Sequence, residues 1–159
     1  MNDVAAEQIT FGSGEVRRAA ALYLPDDSRA CGLLPAIVIG QSVQTVKDAL
    51  RPHAHYLVRA GYAVLAIDYR SIGSSEGKPR EQVFPGRYLE DFRNGASHLE
   101  SRDDIDPQQI GVWGHSLGAS VPIQAAAIDH RIACVAWQNP SMFNGWRAMK
   151  KARAASAPR

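Results

Sequence analysis

Apolar and polar positions along the 159-residue chain fall into alternating strand-like and helix-like segments. Residues 8–11 and 16–24 flank Gly12-Ser-Gly-Glu15 and predict an opening hairpin ended by Pro25-Asp-Asp. The run Pro35-Ala-Ile-Val-Ile39 is continuously apolar, as a strand buried on both faces is, and a helical segment follows over 46–60, closed by Gly61. A second buried strand is expected over 62–67, and residues 68–77 are too rich in turn formers for a helix. Tyr88, Leu89, Phe92, Ala96 and Leu99 recur at helical spacing within 86–102. Asp106-Pro107 is expected to break the chain before a strand at 110–113, and a helix over 119–128 leads to a sixth strand at 132–136. Strands that alternate with helices imply right-handed crossovers, so the predicted fold class is α/β, a mostly parallel sheet of about six strands flanked by helices.

One pentapeptide, Gly114-His-Ser-Leu-Gly118, falls on the boundary between the 110–113 strand and the 119–128 helix. A serine hydroxyl is a poor nucleophile unless held in place and given a base, and a sharp strand-to-helix turn does the holding. Flanking glycines leave room for that bend. The same turn aims the backbone N–H of Leu117, at the start of the helix, toward the place where an oxyanion would form. Ser116 is thus the candidate nucleophile and Leu117 a candidate oxyanion donor.

Composition narrows the picture further. With 45% hydrophobic residues the chain has the apolar content for one domain core. No run of eighteen apolar residues suggests a membrane span, and the N-terminus lacks the basic start and apolar centre of a secretory signal, so a cytoplasmic protein is expected. Cys31 and Cys134 fit neither a disulfide framework nor a zinc spacing, and Cys134 is expected to pack as a small hydrophobe inside its strand. Of the 18 basic residues, five lie at Arg147, Lys150, Lys151, Arg153 and Arg159, which leaves 13 against all 16 acidic residues over 1–146. An acidic body with a basic end free of interleaved aromatics argues against a nucleic-acid binder. The expected organisation is one domain over 1–146 and a disordered basic tail over 147–159.

Several motifs in register resemble the α/β-hydrolase superfamily. They are 35–39, Ala60-Gly-Tyr-Ala-Val-Leu-Ala-Ile-Asp-Tyr-Arg70, Gly73-Ser-Ser-Glu-Gly77, Glu90-Asp91-Phe-Arg-Asn94 and Ile105 through Ser116. The likeness is strongest to the dienelactone hydrolase, acetyl xylan esterase and Xaa-Pro dipeptidyl peptidase-like group. The resemblance implies an α/β-hydrolase fold with strand order 1-2-4-3-5-6-7-8. It also implies hydrolysis of a small-molecule ester, thioester or amide by a serine nucleophile, without cofactor or metal. It places a second oxyanion donor at the N–H of Val43, after Gln41-Ser42, where the family usually has His-Gly; serine in place of glycine constrains the turn that aims this N–H. In the family the acid follows the seventh strand and the histidine the eighth. Neither position has a counterpart in these residues, so the reading is the N-terminal part of a longer hydrolase, nearly inactive as this chain. The alternative is a noncatalytic binding or assembly module. An open sheet edge at 132–136 would favour self-association.

Other candidates are weighed against plainer roles. His115 occupies the variable position of the motif, where its side chain is expected to point away from the reacting centre, and His98 and His130 sit on or after helices. His53-Ala-His55 invites a metal reading, but alternate residues on a helix diverge. Asp68 and Arg70 suggest a charged pair at the carboxyl edge of the sheet, where the resemblance makes them loop-organising residues. Gly12-Ser-Gly14 lacks the helix of a phosphate loop. Trp137, Phe143 and Trp146 are expected after the sixth strand.

Overall fold

The computed structural model describes residues 4–26, 32–42, 45–83 and 85–140. Among them, β1 (Ala6–Ser13), β2 (Val16–Tyr23), β3 (Leu34–Gly40), β4 (Ala63–Ile67), β5 (Ile105–His115) and β6 (Ile132–Gln138) form one sheet in the order β1-β2-β4-β3-β5-β6. The β1–β2 and β2–β4 pairs are antiparallel; β3–β4, β3–β5 and β5–β6 are parallel. Three helices, α1 (Arg51–Arg59), α2 (Pro85–Glu100) and α3 (Leu117–Ile128), supply the crossovers. This is the expected α/β-hydrolase arrangement over its N-terminal six strands. The proposed division at 146/147, with Cys31, Phe143 and Trp146, lies outside the described residues.

Strand periodicity divides the core between two faces. In β4, Leu65 and Ile67 join Val38, Phe92, Leu99, Ile110 and Val121 under α2 and α3. Their neighbours Val64 and Ala66 join Tyr23, Ile39, Leu50, Ala54 and Val58 under α1. Each fully buried Leu, Ile or Phe contributes roughly 1.5–3 kcal/mol. Helix α1 is preceded by a 3-10 turn, Lys47–Leu50, so the segment expected at 46–60 is two elements. It ends as expected at Gly61, whose φ of 93° lets the Gly61 N–H reach the Val58 carbonyl (2.9 Å) and the Tyr62 N–H reach that of Leu57 (3.2 Å).

Several details differ from the sequence pattern. Strand β5 begins at Ile105, before Pro107, because Ile105 already pairs with Leu34; the ladder then shifts register and resumes at Ala36–Ile110. The intervening residues bulge out, with Asp106 accepting hydrogen bonds from the Gln108 N–H (2.9 Å) and Gln109 Nε2 (2.7 Å). Cys134 is exposed rather than packed. It lies on the edge strand, and its side chain stands over Gly111. Trp137 lies within β6, half exposed, instead of after it.

A buried ionic cluster joins the hairpin to α2 and to the loop after β4. Asp91 is fully buried and accepts from Ser13 Oγ (2.9 Å), Arg18 Nε (2.7 Å) and three Arg70 donors: the N–H (2.9 Å), Nε (3.1 Å) and Nη2 (2.8 Å). Arg18 is itself fully buried, its remaining nitrogens donating to the carbonyls of Ser13, Arg17 and Glu76. Ser13, from the glycine-flanked turn, is therefore a structural residue.

Candidate active site

Three carboxyl-terminal strand ends, those of β3, β5 and β6, meet at Ser116. The residue sits between β5 and α3 with φ 56° and ψ −116°, a left-handed backbone that a non-glycine residue adopts only when its surroundings enforce it. Its N–H donates to the Gln138 carbonyl of β6 (3.0 Å), and its own carbonyl accepts from the Ala119 N–H (3.0 Å). Both glycines of the pentapeptide are required by close backbone approach. A Cβ on Gly114 would overlap the Gly118 carbonyl, and one on Gly118 would overlap the carbonyls of Gly40 and Gln41 at the end of β3. The turn is thus wedged between strand β3 and its own helix.

Leu117 opens α3, so its N–H is among the first four of the helix, which have no intrahelical acceptor. The dipole of α3 favours negative charge at the same end. Val43 lies outside the described residues. Before it, Ser42 is half-buried and its carbonyl accepts from Thr45 Oγ1 (3.1 Å), while Gln41 is fully buried.

Asp68 and Arg70 are each held by different partners and do not act as one charged pair. The Asp68 carboxylate takes the Lys47 N–H (2.7 Å), Lys47 Nζ (3.2 Å) and the Ser74 N–H (3.0 Å), which closes the loop over the start of the α1 segment. Arg70 binds Asp91 and Glu90, and those carboxylate hydrogen bonds raise its pKa against the opposing effect of burial. Between them Tyr69 is buried, stacked on Tyr88 at 4.1 Å, and its hydroxyl has no hydrogen-bond partner among the described residues. Burial, then the proximity of Tyr88 and Asp91, raises the Tyr69 pKa well above that of an ordinary phenol.

The histidines are dispersed. His53 packs on Trp113 (4.8 Å between ring centroids) and His55 edge-on against Tyr23 (5.7 Å), so the two do not converge on a common ligand. His98 stacks on Phe11 at 5.9 Å, where burial lowers its pKa, and His130 is exposed. His115 ends β5 opposite Gln138. Among the described residues no hydrogen bond reaches the Ser116 hydroxyl. Sequence reasoning missed the Lys47–Asp68 link, although a lysine opening an otherwise amphipathic helical segment was a visible signal. It also gave no hint that Gln41 would be buried.

Comparison with known proteins places the chain in a family. The family model described as serine aminopeptidase, S33, matches residues 46–157. The chain belongs to this hydrolase family. It is 36% identical over 133 residues to the quorum-quenching protein AidA of Acinetobacter baumannii, a match covering 83% of the chain and 43% of the relative. It is 35% identical over 102 residues to the thiohydrolase aneE of Aspergillus aculeatus, covering 64% and 32% respectively. The α/β hydrolase GrgF from Penicillium sp. sh18 superposes with a TM-score of 0.80 at 24% identity, over 96% of this chain and 53% of that one, a likeness of fold. The chain spans less than half the length of these curated relatives. No helix among the described residues is long and apolar enough to cross a membrane.

Proposed function

We propose that Ser116 is the nucleophile of a serine hydrolase acting on small-molecule esters, with thioesters and amides as related substrates. The observation that carries this reading is the left-handed Ser116 backbone at the β5–α3 corner, wedged by two glycines that no larger residue can replace. In the proposed reaction Ser116 Oγ attacks the acyl carbon and its proton passes to a general base. The oxyanion forms beside the Leu117 N–H, with Val43 as a second donor, and collapse expels the alcohol, thiol or amine. Water then cleaves the acyl-enzyme and regenerates the serine. The names of the relatives, a thiohydrolase among them, support acyl transfer from oxygen or sulfur. Kinship with the dienelactone hydrolase and acetyl xylan esterase group is part of the proposal and rests on the motif runs. So is a cytoplasmic reaction needing no cofactor, metal, membrane or nucleic acid.

Because no base contacts the Ser116 hydroxyl among the described residues, turnover by the 159-residue chain is expected to be nearly absent. Without a working triad, binding and the oxyanion hole leave an acceleration on the order of a thousandfold over water. The same observation favours the second reading, a noncatalytic module that keeps the fold of a hydrolase. The test compares hydrolysis of a short-chain aryl ester and fluorophosphonate labelling between this chain and Ser116→Ala. Slow labelling lost in the variant supports the nucleophile. Labelling that persists in Ser116→Ala removes it, and robust turnover abolished by the change would mean a base acts that these contacts do not reveal.

A further inference from the structure

The sheet edge that carries Ser116 also carries a second cleft. Strand β2 runs antiparallel to β4 with Ala20 opposite Ile67, so its Val16 end and the hairpin turn project past the carboxyl end of β4. There the turn meets the loop that follows β4, and the two enclose a polar cleft of about 470 Å³. Strand β2 is three interstrand steps, roughly 14 Å, from β5 and its serine. Two nearly buried side chains line the cleft, each with an open donor. Arg70, 10% exposed at its side chain, is clamped by Asp91 and Glu90 through Nε and Nη2, while Nη1 bonds to no described residue. Arg18, in the same ionic cluster, has all three guanidinium nitrogens occupied. Ser71 is 2% exposed and left-handed at φ 67°. Its N–H donates to the Glu76 carbonyl (3.0 Å), and its carbonyl accepts from the Glu81 N–H (2.8 Å). Gly77, at φ 125°, makes room for the Ser71 hydroxyl, which a Cβ there would meet at 2.7 Å. The nearby Ser13 and Ser75 hydroxyls donate to Asp91 and to the Asp68 carbonyl, whereas that of Ser71 donates to no described residue. Lys78 also lines the cleft and has no partner among the described residues.

We propose that this cleft binds a small phosphate monoester, whose phosphate oxygens accept hydrogen bonds from Arg70 Nη1, Ser71 Oγ and Lys78 Nζ. A fixed guanidinium beside the point charge of a lysine is a combination suited to phosphate. Arg87 adds a further cation to the lining. Of the two carboxylates there, Glu90 already binds Arg70 Nη2 (2.8 Å), and Glu15 is exposed on the hairpin turn. A carboxylate accepts from hydroxyl groups, and the lining is mostly polar, so the ester carries a hydroxylated group and not an apolar one. The inference stands apart from the reading of Ser116, since neither Ser116 nor Leu117 is among the described residues that line the cleft.

Glycerol 3-phosphate is the probe, titrated into the 15N-labelled 159-residue chain and followed by amide NMR shifts. The wild-type chain should bind it with a Kd of about 1 mM or tighter, with the largest shifts at residues 14–16, 70–72 and 77–78. Arg70 also holds Asp91, so the variants are Lys78→Glu and Ser71→Ala, whose native side chains bond to no described residue. Lys78→Glu should weaken binding about tenfold or more and Ser71→Ala about fivefold. Arg59→Glu makes the same change of charge on α1, and it should leave the affinity unchanged, as should Ser116→Ala. Should Lys78→Glu melt more than about 5 °C below wild type, Lys78→Gln keeps much of the side-chain stem and decides by a loss of about fivefold. A wild-type Kd weaker than about 10 mM would overturn the proposal. So would unchanged affinity in the Lys78 and Ser71 variants, or an equal loss in Arg59→Glu, which would mark a general attraction of charge.

Discussion

Replacing Asp91 with asparagine should be among the most damaging single changes in this protein. The substitution keeps the side-chain shape but removes the charge, and it turns one acceptor oxygen into an NH2 group facing donors. Arg18 and Asp91 are both without solvent exposure, and Arg70 is only 10% exposed at its side chain, so water cannot replace the lost contacts. Breaking a buried ion pair from one side costs about 3–5 kcal/mol, because the opposite charge stays buried without a partner. That is a large part of the roughly 5–15 kcal/mol that holds a domain of this kind together. In a chain of this length it corresponds to a melting temperature lower by about 6–20 °C. Urea unfolding followed by tryptophan fluorescence, with circular dichroism on the same samples, measures the loss. Arg17→Ala is the internal control: its bond to Glu76 links two side chains that are 72% and 47% exposed, and a surface pair contributes about 0–1 kcal/mol. A loss below about 1 kcal/mol for Asp91→Asn, comparable with the control, would refute the view that this cluster anchors the hairpin to α2.

At the nucleophile turn, Gly118→Ala should cost at least about 1–3 kcal/mol, since the new methyl meets two main-chain carbonyls that cannot swing aside; an unchanged urea midpoint would contradict the wedge. Asp129 accepts hydrogen bonds from Arg131 and Arg93, chiefly the former, and its pKa is depressed far below the ordinary carboxylate value. The carboxylate therefore contributes stability above its unfolded pKa of about 4 and loses that contribution as the pH falls below it. Asp129→Asn should thus destabilise at pH 7 and converge on wild type toward pH 2, and an equal loss at both ends of that titration would show the ion pairs to be irrelevant. Among the described residues β6 is an edge strand with Cys134, Ala136 and Trp137 exposed, and it should drive self-association by strand pairing, which Ala136→Lys reduces in sedimentation velocity. A wild-type chain that sediments as a monomer at tens of micromolar would rule this out.

Local pattern determined the elements and their order. The continuous apolar runs around Val38 and Leu65, the helical recurrence from Tyr88 to Leu99, and the glycines around Ser116 each depend on neighbours a few residues away, so one sequence displays them. Even the turn at Ser116 was legible from its glycines within five positions, although the β3 carbonyls that require Gly118 come from a distant segment. What the sequence could not display are pairings between distant segments. Asp68 and Arg70 stand two residues apart, yet Lys47 claims one and Asp91 the other, because the sheet brings four separate segments to that corner. Cys134 sits in an apolar run that reads as buried, and only the position of β6 at the sheet edge exposes it. The same holds for Gln41, an ordinary polar residue after a strand that the assembled structure buries. Burial and partnership are properties of the assembled layers, and the tertiary structure alone decides them.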